Sequence, residues 1–202
     1  ETDGVNFVAH AVVAFRERPE PAFAFGAMVP DLSRLTRRAP CEPAHDGDVL
    51  TDGVAAHHRA DAAFHDHPTF KRWMATLVEN MPEPDRGARA AAHVAVELLV
   101  DGILLERGVA DPYDEALRWG DAALDGTWGE LVARMRVGDL VTAFRSPEGI
   151  GERVAGILQR RPRLARLGVT AGPLAEAVRA VEPAVREGVE TLVTDVSERS
   201  LM

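Results

Sequence analysis

The sequence predicts an all-α fold, a compact multi-helix bundle that forms one domain over residues 1–202. Its apolar segments have the length of helices and end at prolines and glycines, and none shows the two-residue alternation of a half-buried strand. Aromatic residues make up only 5% of the chain, so the core depends on Ala, Val and Leu. A core of small and medium-sized aliphatic residues favours closely packed helices.

The first elements are two apolar stretches followed by a loop. Residues 5–15 (VNFVAHAVVAF) are apolar over a length too great for an ordinary strand, which indicates a buried helix. Residues 22–35 indicate a second helical stretch, and we expect Pro30 to interrupt it. Residues 36–48 contain two prolines, a glycine and mixed charge without periodicity, so they predict a loop.

The middle of the chain contains the strongest helical patterns. Helical periodicity returns over residues 48–66, and Pro68 begins the next helix at a favoured first-turn position. That helix should end near Asn80, because MPEPD (81–85) breaks the pattern. Residues 86–107, rich in Ala, Val and Leu, give the strongest helical prediction of the chain. The remaining predicted helices cover residues 112–125, 127–144, 147–160 and 172–196.

Charge and cysteine content exclude several classes of protein. The net charge is −9, and such a surface repels phosphate backbones, so we expect no nucleic-acid partner. Cys41 is the sole cysteine, which excludes an internal disulfide framework and a multi-cysteine metal site. No apolar run approaches the length of a membrane span, so we expect no membrane partner and a cytoplasmic location. The oligomeric state is left open.

Histidines and carboxylates recur at helical spacing in one polar segment, HHRADAAFHDH (57–67). His57, Asp61 and His65 are four residues apart, so they share one face of the predicted helix. Such a stripe suits a divalent cation. A solvated helix face with Asp–His pairs is the competing interpretation.

A second stripe lies in the long apolar helix predicted over residues 86–107. His93, Glu97 and Asp101 again follow at steps of four, and the residues around them are nearly all apolar. Ionisable groups in such surroundings are costly unless they are paired, hydrogen-bonded or bound to metal. His10 in an apolar helix and Asp31 after Pro30 add two weaker candidates. Imidazole and carboxylate without thiolate suit Mn, Fe, Zn or Mg and hydrolytic chemistry at a phosphate.

Five segments, in order along nearly the whole chain, resemble the acyl carrier protein phosphodiesterase family. NFVAH (6–10) is similar to the family's NFLAH opening, and FGAMVPDL (25–32) is similar to its GN-x-x-ADF segment. DGVAAHHRADAAFHDHP (52–68) resembles G-I-x-x-HR-x-ID-x-FTD-x-HP. VELLVDGILL (96–105) resembles a D-x-x-x-DHFL segment, and RRPRL (160–164) matches a stretch near the family's C-terminal helices.

The resemblance implies a helical fold distantly related to the HD-type metal-dependent phosphohydrolases. It implies hydrolysis of the phosphodiester that joins 4′-phosphopantetheine to a serine of acyl carrier protein, normally with Mn²⁺. It also implies that Asp31 and His57 are catalytic and that Arg59 binds the substrate. Since acyl carrier proteins are acidic, docking needs a basic patch, and Arg161 in the arginine-rich segment 160–166 is a candidate for it; a solvated helix end is the competing interpretation. With the stripe on the apolar helix included, the expected metal ligands are His10, Asp31, His57, Asp61, His93 and Asp101.

The chain departs from the family pattern within the reactive segments. His65 stands where the family has the aspartate of FTD, Glu97 replaces the first aspartate of D-x-x-x-DHFL, and Gly102 replaces its histidine. The metal site is therefore expected to be rearranged, with His65 and His93 in place of lost ligands. Two alternatives stay open: a related hydrolase of a small phosphoester or nucleotide, and a non-catalytic helical protein that binds metal.

Overall fold

The computed structural model describes residues 6–36, 47–82, 86–138, 142–160, 165 and 168–201, and nearly all of them are helical. No strand occurs among these residues, and the all-α prediction is confirmed. The elements are α1 (Phe7–Glu17), α2 (Pro21–Thr36), α3 (Gly47–Asp66), α4 (Pro68–Glu79), α5 (Arg86–Glu106), α6 (Asp111–Ala123), α7 (Gly126–Arg136), a 3₁₀ turn (Thr142–Arg145), α8 (Pro147–Gln159) and α9 (Ala171–Ser200).

Helix α5 lies at the centre of the bundle. It packs against α1, α4, α8, α9 and the 3₁₀ turn, and residues 91–100 are buried without exception. The long helix α9 covers this centre with a stripe of buried residues three or four positions apart, and it contacts α1, α3, α4, α5 and α8. One cluster of buried apolar side chains draws on every helix from α1 to α9. Any polar side chain on the inner face of α5 is consequently removed from bulk solvent.

Helix α2 differs from its prediction because it continues through Pro30 without a break. Proline removes one helical hydrogen bond, so packing must hold the helix together at this point. Gly26 and Gly53 allow α2 and α3 to approach closely: a Cβ on Gly26 would overlap with the carbonyl oxygen of Leu50, and a Cβ on Gly53 with that of Phe23. This contact brings α3, with its histidines, against α2.

The prediction of a single helix over residues 127–144 is wrong for the second half of that range. Helix α7 ends at Arg136, and Gly138 follows with φ +88°, a conformation that favours glycine and ends helices. A 3₁₀ turn over Thr142–Arg145 then packs on α5. Helix α9 is longer than predicted, because it extends to Ser200.

None of the described helices is both long and apolar enough to cross a bilayer.

Candidate metal centre

Two groups of metal-ligand side chains lie where α1, α3 and α5 come together. The first contains His10, His57 and Asp61, and the second contains His65, His93 and Glu97. In each group one ligand atom per residue lies within 4.8 Å of the others. Two metal bonds of about 2.0–2.2 Å span about 4.4 Å end to end, so small side-chain movements would allow one ion to bind three atoms.

The two imidazoles of the first group are prepared to bind a cation. His57 Nδ1 donates a hydrogen bond to the carbonyl oxygen of Ala27 at 2.8 Å, which leaves its Nε2 as the nitrogen with the lone pair. His10 is buried beside it, with ring centroids 4.1 Å apart, and its Nδ1 has no hydrogen-bond partner among the described residues. A buried nitrogen without a partner is unfavourable unless something binds it.

Both imidazoles are neutral at neutral pH. Burial lowers the pKa of His57 to about 4, and burial together with the neighbouring His57 holds the pKa of His10 well below its usual value. A neutral imidazole is the form that binds metals. Asp61 completes the group, and its side chain keeps 36% of its surface exposed. The first group is therefore closed by protein on the histidine side and open to solvent at Asp61.

The second group lies around one carboxylate oxygen. His93 Nε2 lies 2.8 Å from Glu97 Oε1 within α5, and His65 Nε2 reaches the same oxygen from α3 at 3.4 Å. Glu97 and His93 are buried, whereas His65 is half-buried. The hydrogen bond to Glu97 raises the pKa of His65. Two nitrogens and one carboxylate thus converge from two helices.

The two groups are neighbours because Asp61 and His65 lie one turn apart on α3. Asp61 Oδ2 is 3.6 Å from His65 Nδ1, on the side of the ring opposite Glu97. The predicted stripe His57–Asp61–His65 therefore contributes two residues to one group and one to the other. A stripe of three residues at steps of four rises about 12 Å, too far for a single ion.

Asp101, predicted as a metal ligand, belongs to neither group. Its two carboxylate oxygens accept the backbone N–H groups of Val8 and Ala9 at 3.0 and 2.9 Å, in the first turn of α1. These amides have no partner within their own helix, and the side chain of the N-cap residue Asn6 does not bind them. Burial raises the pKa of Asp101 to about 8, and the amide hydrogen bonds counter this effect. Asp101 thus fixes α1 on α5.

Asp31, predicted as both ligand and catalytic residue, is buried next to the same helix end. It accepts the backbone N–H of Asn6 at 3.3 Å and pairs with Arg34 at 2.9 Å. Burial raises its pKa well above the usual value, and the nearby charge of Glu97 acts in the same direction. Asp31 and Asp101 together position α1, which contains His10.

Arg59, one of the two arginines predicted to bind the substrate, is not at this centre. Arg59 binds Glu17 at 2.6 Å and the carbonyl oxygen of Ser200 at 3.1 Å. Residues two apart on a helix point about 200° apart, so Arg59 cannot share the face of His57 and Asp61. Arg161 lies outside the described residues.

Arg34 is a cation at the centre that sequence reasoning missed. Its side chain is 43% exposed, it pairs with Asp31, and its charge acts on both His10 and His57. The signal in the sequence was its spacing of three residues from Asp31, which places both on one helix face.

Comparison of the chain with protein-family models, with curated proteins and with solved structures gives no match.

Proposed function

We propose that the protein is a metal-dependent phosphodiesterase. The observation that carries the proposal is the first donor group: two buried neutral imidazoles and one half-exposed carboxylate, with a cationic side chain close by. Three protein ligands and an open side are typical of catalytic metal sites, whereas structural sites are closed by four. A divalent cation bound there would polarise phosphoryl oxygens and lower the pKa of a bound water.

The residues of the chain have separate tasks in this proposal. His57 presents Nε2 because its Nδ1 is held by Ala27, and His10 presents a nitrogen from the end of α1 that Asp31 and Asp101 hold in place. Asp61 lies at the exposed edge, where a substrate would enter. Arg34, fixed by Asp31, places a guanidinium within reach of a negatively charged oxygen.

Mn²⁺ is the metal that the family resemblance implies, and the donor set of two nitrogens and one oxygen also suits Fe or Zn. The same resemblance makes the phosphopantetheine ester of acyl carrier protein the first substrate to test. A small phosphoester or nucleotide is the second, because Arg34 and the open edge at Asp61 suit any phosphodiester of modest size.

The test is hydrolysis by the purified protein with added Mn²⁺. Release of 4′-phosphopantetheine from holo acyl carrier protein is measured beside hydrolysis of bis(p-nitrophenyl) phosphate. We expect His57→Gln to lose at least about 100-fold in kcat, because it removes a ligand of the cation that activates water. His58→Gln is the matched control, since His58 is the exposed neighbour of His57 and should keep wild-type activity.

The outcomes separate the substrate from the reaction. If the protein hydrolyses only the generic ester, the result supports the proposed reaction and excludes acyl carrier protein as the substrate. Equal activity in wild type and His57→Gln would exclude the proposed centre. Metal binding without hydrolysis of either substrate would leave a non-catalytic metal-binding protein.

A further inference from the structure

The second donor group has its own opening to solvent. His65 and His93 line an open groove of about 540 Å³, together with Phe70, Lys71, Met74, Arg89 and Ala90. The imidazoles lie at one side of this groove, with ring centroids 4.5 Å apart, while Glu97 is buried behind them. A small ion can therefore reach the three side chains without passing through the first group.

We infer that His65, His93 and Glu97 form a second cation site, of the kind that Zn²⁺ occupies with two imidazoles, one carboxylate and an open fourth position facing the groove. This inference is independent of the phosphodiesterase activity proposed above, because none of its three ligands belongs to the first group.

The geometry of the two nitrogens supports this site over a simple helix pair. His93 and Glu97 are four residues apart on α5, and such pairs occur on many helices without a metal. Here a third donor comes from a different helix, and His65 Nε2 points at the same carboxylate oxygen as His93 Nε2. A cation between the two rings would replace the two N–H groups that now face this oxygen.

The surroundings also orient the ligands as metal-binding proteins do. Asp61 lies 3.6 Å from His65 Nδ1, so the nitrogen turned away from the carboxylate of Asp61 is the one that faces Glu97. At this distance the carboxylate attracts the outer nitrogen of the ring by charge, which favours the ring orientation that turns Nε2 towards Glu97. Phe70 packs against both rings, with centroids at 5.7 and 5.8 Å, and restricts their rotation.

The groove adds a preference for anionic ligands at the open position. Arg89 and Lys71 line it, and Arg89 has no carboxylate partner among the described residues. Lys71 pairs at 3.0 Å with Asp66, which is largely exposed. A phosphate or carboxylate oxygen that binds the cation would have a guanidinium nearby.

The test is the number of Zn²⁺ ions bound by the metal-free full chain, measured by equilibrium dialysis and elemental analysis without any substrate. We expect two ions per chain for the wild type and one each for His93→Gln and His57→Gln. His58→Gln, an exposed control, should retain two. Co²⁺ as a spectroscopic probe should lose one set of visible absorption bands in His93→Gln and a different set in His57→Gln.

The possible results test the two cation sites separately. If His93→Gln binds as many ions as wild type, the second site is excluded. If the wild type binds one ion, and only His57→Gln loses it, the second site is again excluded while the first remains. Loss of a single ion in His93→Gln alone would support the second site and contradict the first. Should His93→Gln fail to fold, His65→Gln replaces it, since His65 is half-buried and its loss leaves the inner face of α5 intact.

Discussion

Replacing Gly102 with alanine should destabilise the protein, although alanine normally stabilises helices. A Cβ at this position would overlap with the carbonyl oxygen of Phe144 and lie 2.7 Å from its carbonyl carbon. Phe144 is buried in the 3₁₀ turn that packs on α5, and a backbone carbonyl cannot swing aside as a flexible side chain can. The turn must therefore move away from α5, which opens packing in the core.

The size of the effect follows from two opposing contributions. Overpacking a core costs about 1–3 kcal/mol, and a clash with backbone belongs at the upper end of that range. Replacing glycine with alanine within a helix stabilises the folded state by about 0.5–1 kcal/mol. The net loss in the free energy of unfolding is about 2 kcal/mol. For a chain of this size that corresponds to a decrease in Tm of about 4–8 °C.

Gly156 in α8 provides a matched control, because a Cβ there meets no atom within 4 Å. Gly156→Ala should raise the free energy of unfolding by about 0.5–1 kcal/mol. Both variants are measured by urea denaturation and by thermal melting followed by circular dichroism. The same substitution is expected to lower the free energy of unfolding at position 102 and to raise it at position 156. A Gly102→Ala variant as stable as wild type would refute the close approach of the turn to α5.

Two further predictions concern the centre itself. Burial lowers the pKa of His57 to about 4, so between that pH and the ordinary value of 6.5 the unfolded chain binds a proton that the folded chain does not. The stability that this contributes is present above pH 6.5 and is lost as the pH falls towards 4. Over that window the free energy of unfolding of metal-free His57→Gln should therefore rise by up to about 3 kcal/mol relative to that of the wild type. It is measured by urea denaturation, with the exposed His58→Gln as the control. A difference that does not change with pH would contradict the burial of a neutral imidazole. Arg34→Ala should raise the KM for a phosphodiester several-fold, whereas Arg59→Ala should leave kcat and KM within about two-fold and lower stability by less than about 1 kcal/mol, because its ion pair is partly exposed. If Arg59→Ala raised the KM and Arg34→Ala did not, the result would indicate that Arg59, and not Arg34, binds the substrate.

The sequence was sufficient to predict the helices, because apolar stretches of helical length and proline or glycine breaks are local signals. It also identified the apolar helix that is now α5 and the histidines and carboxylates that converge on it. The breaks within residues 22–35 and 127–144 were predicted less well. Tertiary packing holds α2 together through Pro30, and the end of α7 depends on the conformation of Gly138.

The partners of the polar side chains could not be read from spacing. Asp101 caps a helix that lies more than ninety residues earlier in the chain, and such a contact leaves no local pattern. Arg59 was placed at the centre by its position in a motif, but helical geometry turns it towards Glu17 and Ser200. The rise of the helix divides the stripe His57–Asp61–His65 between two sites, because its ends are about 12 Å apart.

Contacts in the structure explain why three residues differ from the pattern of the family that the sequence resembles. Gly102 stands where the pattern has histidine, and the carbonyl oxygen of Phe144 leaves no room for any side chain there. His65 and Glu97 stand where the pattern has aspartates, and these two substituted residues contact each other directly, with His93 bound to the same oxygen of Glu97. A buried glutamate and a buried histidine on the inner face of α5 would be costly if either were left alone. Since His65 and Glu97 satisfy each other and His65 lines an open groove, this pair supports the second cation site proposed above.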